Sequence, residues 1–283
     1  MAQTLSEIKQ LLAAHGLHPK HKFGQNFLHD GNHMRRIMDA AELSPGDVVL
    51  EVGPGTGALT ERLLEDAAQV VAVEIDTDLE PVLTARMAGL PGGQGERFTL
   101  VVGDVLAGKH TINPAVIEPV MQRVTASGAS GFKLIANLPY NVASPLLANL
   151  VVDHLAMSDA VVMIQKEVAD RLTAEPGNKL YGPLGILIQA LCEVRTVGTL
   201  APGCFWPAPK VASAVVHLKR RATPMTDDPA ALSAMLQTLF TKRRKQLGSI
   251  LGRAFPFPAD IDAQARPEAL TVEQIIRLSQ IED

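Results

Sequence analysis

The chain has 283 residues, 47% hydrophobic, 20% charged and 4% aromatic, which excludes a disordered or fibrous class and allows a sizeable core in more than one domain. A net charge of -4 and a pI near 6.1 do not mark a nucleic-acid binder by sum, yet basic residues gather at 20–22, 219–221 and 242–245. Cys192 and Cys204 lack metal-type spacing and read as buried free thiols of a reducing cytosol, so no metal is expected.

"MAQTLSEIKQLLAAHG" reads as an amphipathic helix without the basic start, apolar run and cleavage site of a signal peptide. No apolar run approaches bilayer-spanning length, so a cytoplasmic protein is expected. "HGLHPKHKFGQNFLHDGN" reads as loop. "DVVLEV" (47–52) is then a short buried strand, "GPGTG" a tight turn and "ALTERLLEDA" a helix. "VVAVEID" (70–76) is a second strand and "FTLVVGDV" (98–105) a third. Residues 107–131 read as a loop plus a short helix before a fourth strand, "FKLIAN". After "NLPY" the next helix is expected only beyond Ser144-Pro145. "AVVMIQ" (160–165) is a fifth strand, and "YGPLGILIQALCEV" turns into helix or strand. "FWPAPKVASAVVHLKR" holds a Pro-rich loop and a strand, and the residues beyond about Arg221 offer only helices. Strand–helix alternation argues for a parallel α/β sheet. The reading is an α/β domain over 1–220 and a small helical domain over 221–283.

"EVGPGTG" stands between strand and helix, where a ligand can approach backbone and helix N-terminus. Two readings compete. Gly53, Gly55 and Ala58 loosely fit a dinucleotide fingerprint with Glu74 as the ribose acid, which points to NAD. The spacing Glu51-x-Gly53-x-Gly55-x-Gly57 equally suits S-adenosylmethionine, whose carboxylate can meet the helix N-terminus. Any one acid is an ordinary turn or cap residue. Glu51, Glu74 and Asp104 at the ends of three successive strands favour a nucleoside cofactor, with Asp104 accepting from the adenine amine.

"NLPY" ends the fourth strand beside the same pocket. An exocyclic amine such as adenine N6 is a poor nucleophile because its lone pair is delocalised into the ring. Acceptors on that amine draw it out of plane and localise the lone pair. Asn137 offers a side-chain oxygen, and Pro139 keeps Leu138 extended so that its carbonyl can face the same amine. Tyr140 would hold the base by stacking.

These residues resemble a family, the bacterial small-subunit rRNA adenine N6,N6-dimethyltransferases. The likeness runs through "KFGQNFLHD" (22–30), "LEVGPGTGALT" (50–60), "VEID" (73–76), "GDVL" (103–106), "NLPYNVASPLL" (137–147), "MIQKEVADRL" (163–172), "YGPLGILIQ" (181–189), "FWPAPKVASAVV" (205–216) and "FTKRRKQL" (240–247). It implies a Rossmann-like class I S-adenosylmethionine-dependent methyltransferase domain with an N-terminal helical lid segment. A small all-helical C-terminal domain that binds rRNA would follow. By the resemblance, Asn26 and Leu28 close over the cofactor, Gly53 lies beneath it, and Glu74 and Asp104 take ribose and adenine. Asn137 faces the methyl transfer, and Phe205 forms a second aromatic wall beside the target base. The implied substrate is two adjacent adenosines in a hairpin near the 3′ end of small-subunit rRNA, each methylated twice on a pre-30S particle by a monomer. Lys242, Arg243, Arg244 and Lys245, on a C-terminal helix, would meet rRNA phosphates.

Pro183, Ala208 and Ala212 depart from the family's usual residues, and 107–131 looks longer than usual. Three alternatives remain: a large-subunit rRNA methyltransferase of the antibiotic-resistance type, a non-enzymatic ribosome-assembly factor and, last, a dehydrogenase, which explains neither NLPY nor the basic run.

Overall fold

The computed structural model describes residues 3–67, 69–108 and 111–281. It forms two compact units, Met1–Lys166 with Thr196–Leu218, and Glu167–Arg195 with Lys219–Asp283. The second unit therefore includes a stretch, Glu167–Arg195, that the sequence reading places in the first domain.

In the first unit, helix α1 (Leu5–Ala14) opens with a capping box: the Glu7 N–H donates to Thr4 Oγ1 and the Thr4 N–H to Glu7 Oε2. Its buried Ile8 and Leu12 pack with Phe27, Leu79 and Leu83. The next segment holds a short strand, β1 (Phe27–Leu28), and helix α2 (Gly31–Ala41), capped by Asp30 through the Asn32 and His33 N–H groups. The loop read over 15–32 thus ends two residues early, where that cap starts the helix.

Three strand–helix units follow. Strand β2 (Val48–Val52) leads to α3 (Ala58–Asp66), β3 (Gln69–Glu74) to α4 (Glu80–Ala88), and β4 (Phe98–Val102) to a hairpin, β5 (Leu106–Gly108) and β6 (Thr111–Ile112), and then α5 (Pro114–Ser127). Where 107–131 reads as a loop plus a short helix, helix α5 takes up more than half of the stretch. It has 14 residues, with Asn113 as N-cap and Pro114 in its first turn, and buries Val116, Val120 and Val124. Lys109 and His110 lie outside the described residues.

Strand β7 (Phe132–Asn137) leads into α6 (Tyr140–Asp153), and β8 (Met157–Gln165) follows. Helix α6 begins at Tyr140, before Ser144-Pro145. Pro145 sits early in the helix, where its missing N–H costs a single bond, to the Asn141 carbonyl. Strands β9 (Cys192–Leu200), β10 (Phe205–Trp206) and β11 (Ser213–Arg220) complete the set.

The main sheet has the order β4-β3-β2-β7-β8-β11-β9, with parallel pairing from β4 through β8. Every residue of β2 is buried, as expected of a parallel strand covered on both faces. Chain order runs outward from β2 to β4 on one side and from β7 to β8 on the other. The topological switch point therefore lies between β2 and β7, and a crevice opens beyond their carboxyl ends.

In the second unit, α7 (Lys166–Leu172), α8 (Pro183–Leu191), α9 (Pro229–Thr241), α10 (Leu247–Leu251) and α11 (Val272–Ser279) pack together, with α9 meeting both α8 and α11. Among the described residues beyond 221 there is no strand. Pro183 occupies the first turn of α8, where its ring fits helical φ and no N–H is needed. A β-carbon on Gly185 would lie 2.2 Å from the Arg171 carbonyl oxygen, so the close approach of α7 and α8 demands glycine. That packing ties Glu167–Arg195 to the helical unit.

Candidate active site

The carboxyl ends of β2, β3 and β7, with the loop after β4, surround an open cleft of about 1190 Å³, part of it solvent. After β2 the chain turns through Gly53, whose φ of +72° only glycine adopts freely. A β-carbon there would reach Pro139 Cδ at 3.5 Å, so the glycine turn and the NLPY turn lie against each other across the switch point.

Glu74 ends β3 and is buried. Its Oε2 accepts the Gly55 N–H at 3.1 Å and its Oε1 the Asp76 N–H at 2.9 Å. Burial raises its pKa, and those N–H groups partly oppose the rise. Glu51 is nearly inaccessible, and Thr60 Oγ1 donates to its Oε2 at 2.7 Å. Burial lifts it to about 8, so at neutral pH it stands mostly protonated. Asp104 lies just past β4, exposed at the cleft, with Oδ1 accepting the Leu106 N–H at 2.9 Å. Glu74 and Asp104 therefore serve as turn acceptors and cleft-lining carboxylates at once.

Across the cleft, Asn137 Nδ2 donates to the Asn26 carbonyl at 3.0 Å. The Leu138 N–H donates to the Met163 carbonyl at 3.0 Å, fixing the peptide that precedes Pro139. Tyr140 stands at the first position of α6, half-buried, and its hydroxyl shares a 2.8 Å hydrogen bond with Ser213 Oγ. Asn26, Leu28, Gly53, Gly55, Glu74 and Asp104 line the cleft together with Asn137, Leu138, Pro139 and Tyr140.

Two expectations are corrected. Phe205 does not line the cleft: it is 3% exposed, packs in the core with Leu28 and Met34, and its backbone pairs with Leu28. Lys242–Lys245 do not lie on a helix either, because α9 ends at Thr241 and the basic run forms the turn before α10. Within that turn Lys242, Arg244 and Lys245 are exposed, whereas Arg243 Nε donates to Glu268 at 2.5 Å. As for the two thiols, Cys192 is buried but Cys204 is partly exposed.

Ser213, Thr60, Lys20, Gln25 and Asp76 support the site; each lies in a segment that stands out in the sequence, but nothing there identifies its partner. Tyr140 lies 73 residues from Ser213, and Asp76 lies 56 from Lys20 and 51 from Gln25, beyond any local pattern, while Thr60 meets Glu51 nine residues away.

The residues fit S-adenosylmethionine by the chemistry of the donor set. Each Glu74 oxygen accepts one backbone N–H and retains acceptor capacity for a pair of vicinal hydroxyls. Asp104 adds an acceptor one strand further along, and Gly53 and Gly55 line the same cleft, Gly55 with no room for a side chain beside the Phe27 ring.

The family model described as Ribosomal RNA adenine dimethylase matches residues 16–281. Ribosomal RNA small subunit methyltransferase A of Streptomyces coelicolor is 40% identical, covering 97% of this chain and 95% of its own length. The protein of that name from Magnetococcus marinus is 40% identical over 96% and 95%. Among solved structures, the 23S rRNA methyltransferase ErmE is 26% identical with a TM-score of 0.66, over 90% of this chain and 98% of that one. A dimethyladenosine transferase from Plasmodium falciparum reaches a TM-score of 0.71 at 24% identity, over 89% and 95%, a likeness of fold. With the class I methyltransferase sheet, the paired carboxylates and NLPY in one cleft, the chain belongs to the ribosomal RNA adenine dimethylase family.

Proposed function

We propose that this chain uses S-adenosylmethionine to dimethylate N6 of two adjacent adenosines in a 3′-terminal hairpin of small-subunit rRNA, on an immature 30S particle, as a cytoplasmic monomer. The observation that carries the reading is the position of Asn137–Tyr140 at the end of β7, opening into the same cleft as Glu74 and Asp104. The relatives named for the small subunit support the choice of rRNA. Among the described residues no helix is long and apolar enough to cross a membrane.

When bound, S-adenosylmethionine supplies an electrophilic methyl group on a sulfonium. Glu74 would take its ribose hydroxyls and Asp104 its adenine amine, and Asn26, with Leu28 of β1, would cover it. The Asn137 amide nitrogen is committed to the Asn26 carbonyl, so its Oδ1 is the end left to accept from the target N6–H. The Leu138 carbonyl accepts the second N6–H, its peptide held by Met163 and by Pro139. Both acceptors localise the N6 lone pair toward the methyl donor. Much of the acceleration then comes from alignment. No general base is needed, because the methylated amine carries a positive charge and readily loses its proton to solvent.

Tyr140 stacks on the extruded base, and the Ser213 bond fixes the direction of its ring. Lys242, Arg244 and Lys245 contact rRNA phosphates, while Arg243 is held by Glu268 and contributes less.

Labelled methyl transfer to undermethylated 30S particles, with 50S particles alongside and modified nucleosides identified by mass spectrometry, tests the reading. N6,N6-dimethyladenosine at adjacent small-subunit positions is the expected product. Product on 50S alone would move the chain to the large-subunit branch. Tight 30S binding without product would leave an assembly factor.

A further inference from the structure

The loop that carries Asn26 is pinned at both sides of the cleft. On the β7 side the pin is the bond from Asn137 Nδ2 to the Asn26 carbonyl. On the β3 side it is Asp76, two residues beyond Glu74, with a carboxylate buried except for 4% of its side chain. Lys20 Nζ donates to Asp76 Oδ1 at 2.5 Å and to Asp78 Oδ2 at 2.5 Å. Gln25 Nε2 donates to Asp76 Oδ2 at 2.7 Å, and the Lys20 N–H donates to Gln25 Oε1 at 2.7 Å, which closes residues 20–25 on themselves. The Asp76 N–H in turn donates to Glu74 Oε1.

A turn after a strand requires only one side-chain acceptor, and Asp76 supplies that for Asp78 with Oδ1. The two long-range donors, from residues 56 and 51 positions earlier, are surplus to the turn and serve the loop. They also offset charge. Burial pushes the Glu74 carboxyl toward the neutral form, a poorer acceptor for hydroxyl hydrogens, and the charge on Asp76 adds to that push. The Lys20 ammonium, held above its ordinary range by the hydrogen bonds to Asp76 and Asp78, neutralises that charge.

We propose that Lys20, Gln25 and Asp76 are positioning residues: a clamp that seats the Asn26 loop on the end of β3 and sets the geometry in which Glu74 and Asn137 face one ligand. Lys20 and Asp76 do not line the cleft, whereas Gln25 does, so the test turns on Lys20 and Asp76. The clamp rests on the reading of the cleft as the S-adenosylmethionine site, and it predicts slow escape of the bound nucleoside with the clamp intact.

Calorimetry and stopped-flow displacement with S-adenosylhomocysteine on the full chain test it, using Lys20→Met, Asp76→Asn, the double variant and Lys20→Arg. Lys20→Met and Asp76→Asn should each weaken binding roughly tenfold or more, mainly through faster dissociation. The double variant should lose less than the two single losses combined, because both remove the Lys20–Asp76 ion pair. Lys20→Arg should stay within about threefold of the parent, and Lys20→Met, whose site is partly exposed, should melt within about 3 °C of it. At saturating donor, kcat should fall less than the dissociation constant rises. Unchanged binding in Lys20→Met, additive losses in the double variant, or losses that follow melting temperature would each overturn the clamp while leaving the cofactor site standing. Failure of the parent chain to bind S-adenosylhomocysteine would overturn the site itself.

Discussion

The side-chain amide of Asn137 donates to the backbone carbonyl of Asn26 across 111 residues of sequence, joining the end of β7 to the loop before β1. One bond thereby fixes which end of the Asn137 amide is left for a ligand. Asn137→Asp replaces the donor with an oxygen that repels the Asn26 carbonyl. We expect methyl transfer to fall about 100-fold or more, by analogy with removal of one preorganised polar group facing a reacting centre. S-adenosylhomocysteine affinity, measured by calorimetry, should fall far less. Equal losses in both would place Asn137 in cofactor binding alone.

Glu74 holds two backbone N–H groups, so its removal has a structural side. Glu74→Gln keeps one oxygen acceptor in place of two but loses the charge. Cofactor affinity should drop by roughly one to two orders of magnitude, the scale of a lost hydrogen bond to a charged group. An undiminished titration curve would take Glu74 out of the site.

Tyr140 separates ring from hydroxyl. Tyr140→Ala should cost about 1–3 kcal/mol in kcat/KM for the rRNA substrate, the value of one stacked base. Tyr140→Phe and Ser213→Ala keep the ring and lose only the 2.8 Å bond, so each should show a smaller and similar loss. Single-turnover methylation of 30S particles distinguishes the three. If Tyr140→Ala turned over normally, stacking would not be the role of this ring.

Glu51 makes stability depend on pH. Burial raises its pKa from an ordinary 4.5 to about 8 in the folded chain. Between those values the folded state binds more protons than the unfolded, so this contribution is complete below pH 4.5 and is lost as pH rises through about 8. The slope approaches about 1.4 kcal/mol per pH unit at most. Glu51→Gln retains an acceptor for Thr60 and removes the titration. Its melting temperature should fall less steeply than the parent's between pH 5 and 8, and parallel profiles would mean that Glu51 is ionised when folded.

The basic turn divides into exposed and paired members. Replacing Lys242, Arg244 and Lys245 together by Ala should weaken 30S binding and flatten the plot of log affinity against log salt. The slope should shrink by up to about 0.7–0.9 for each phosphate left without its cation. Arg243→Ala should change that slope less and affect mainly the ion pair with Glu268. Filter binding over a salt series reads both.

By itself the sequence determined the strands and the chemistry at their ends. Short β-branched runs such as Val48–Leu50 read as strands covered on both faces, and an acid, a glycine or NLPY just past such a run comes to the sheet's carboxyl edge. Glu74, Asp104 and Asn137 were legible for that reason. What local pattern cannot contain is distance between segments far apart in the chain. The start of α6 at Tyr140 depended on a helix tolerating Pro145 early in its length. Similarly, the burial of Phe205 follows from the pairing of β1 with β10, which joins Leu28 to a residue near the end of the same unit. Charge state was equally hidden: nothing in "LEVG" tells that Glu51 is enclosed and neutral while Glu74, 23 positions later, keeps two N–H donors. Desolvation and long-range hydrogen bonds are properties of the packed chain, and only the tertiary structure decided them.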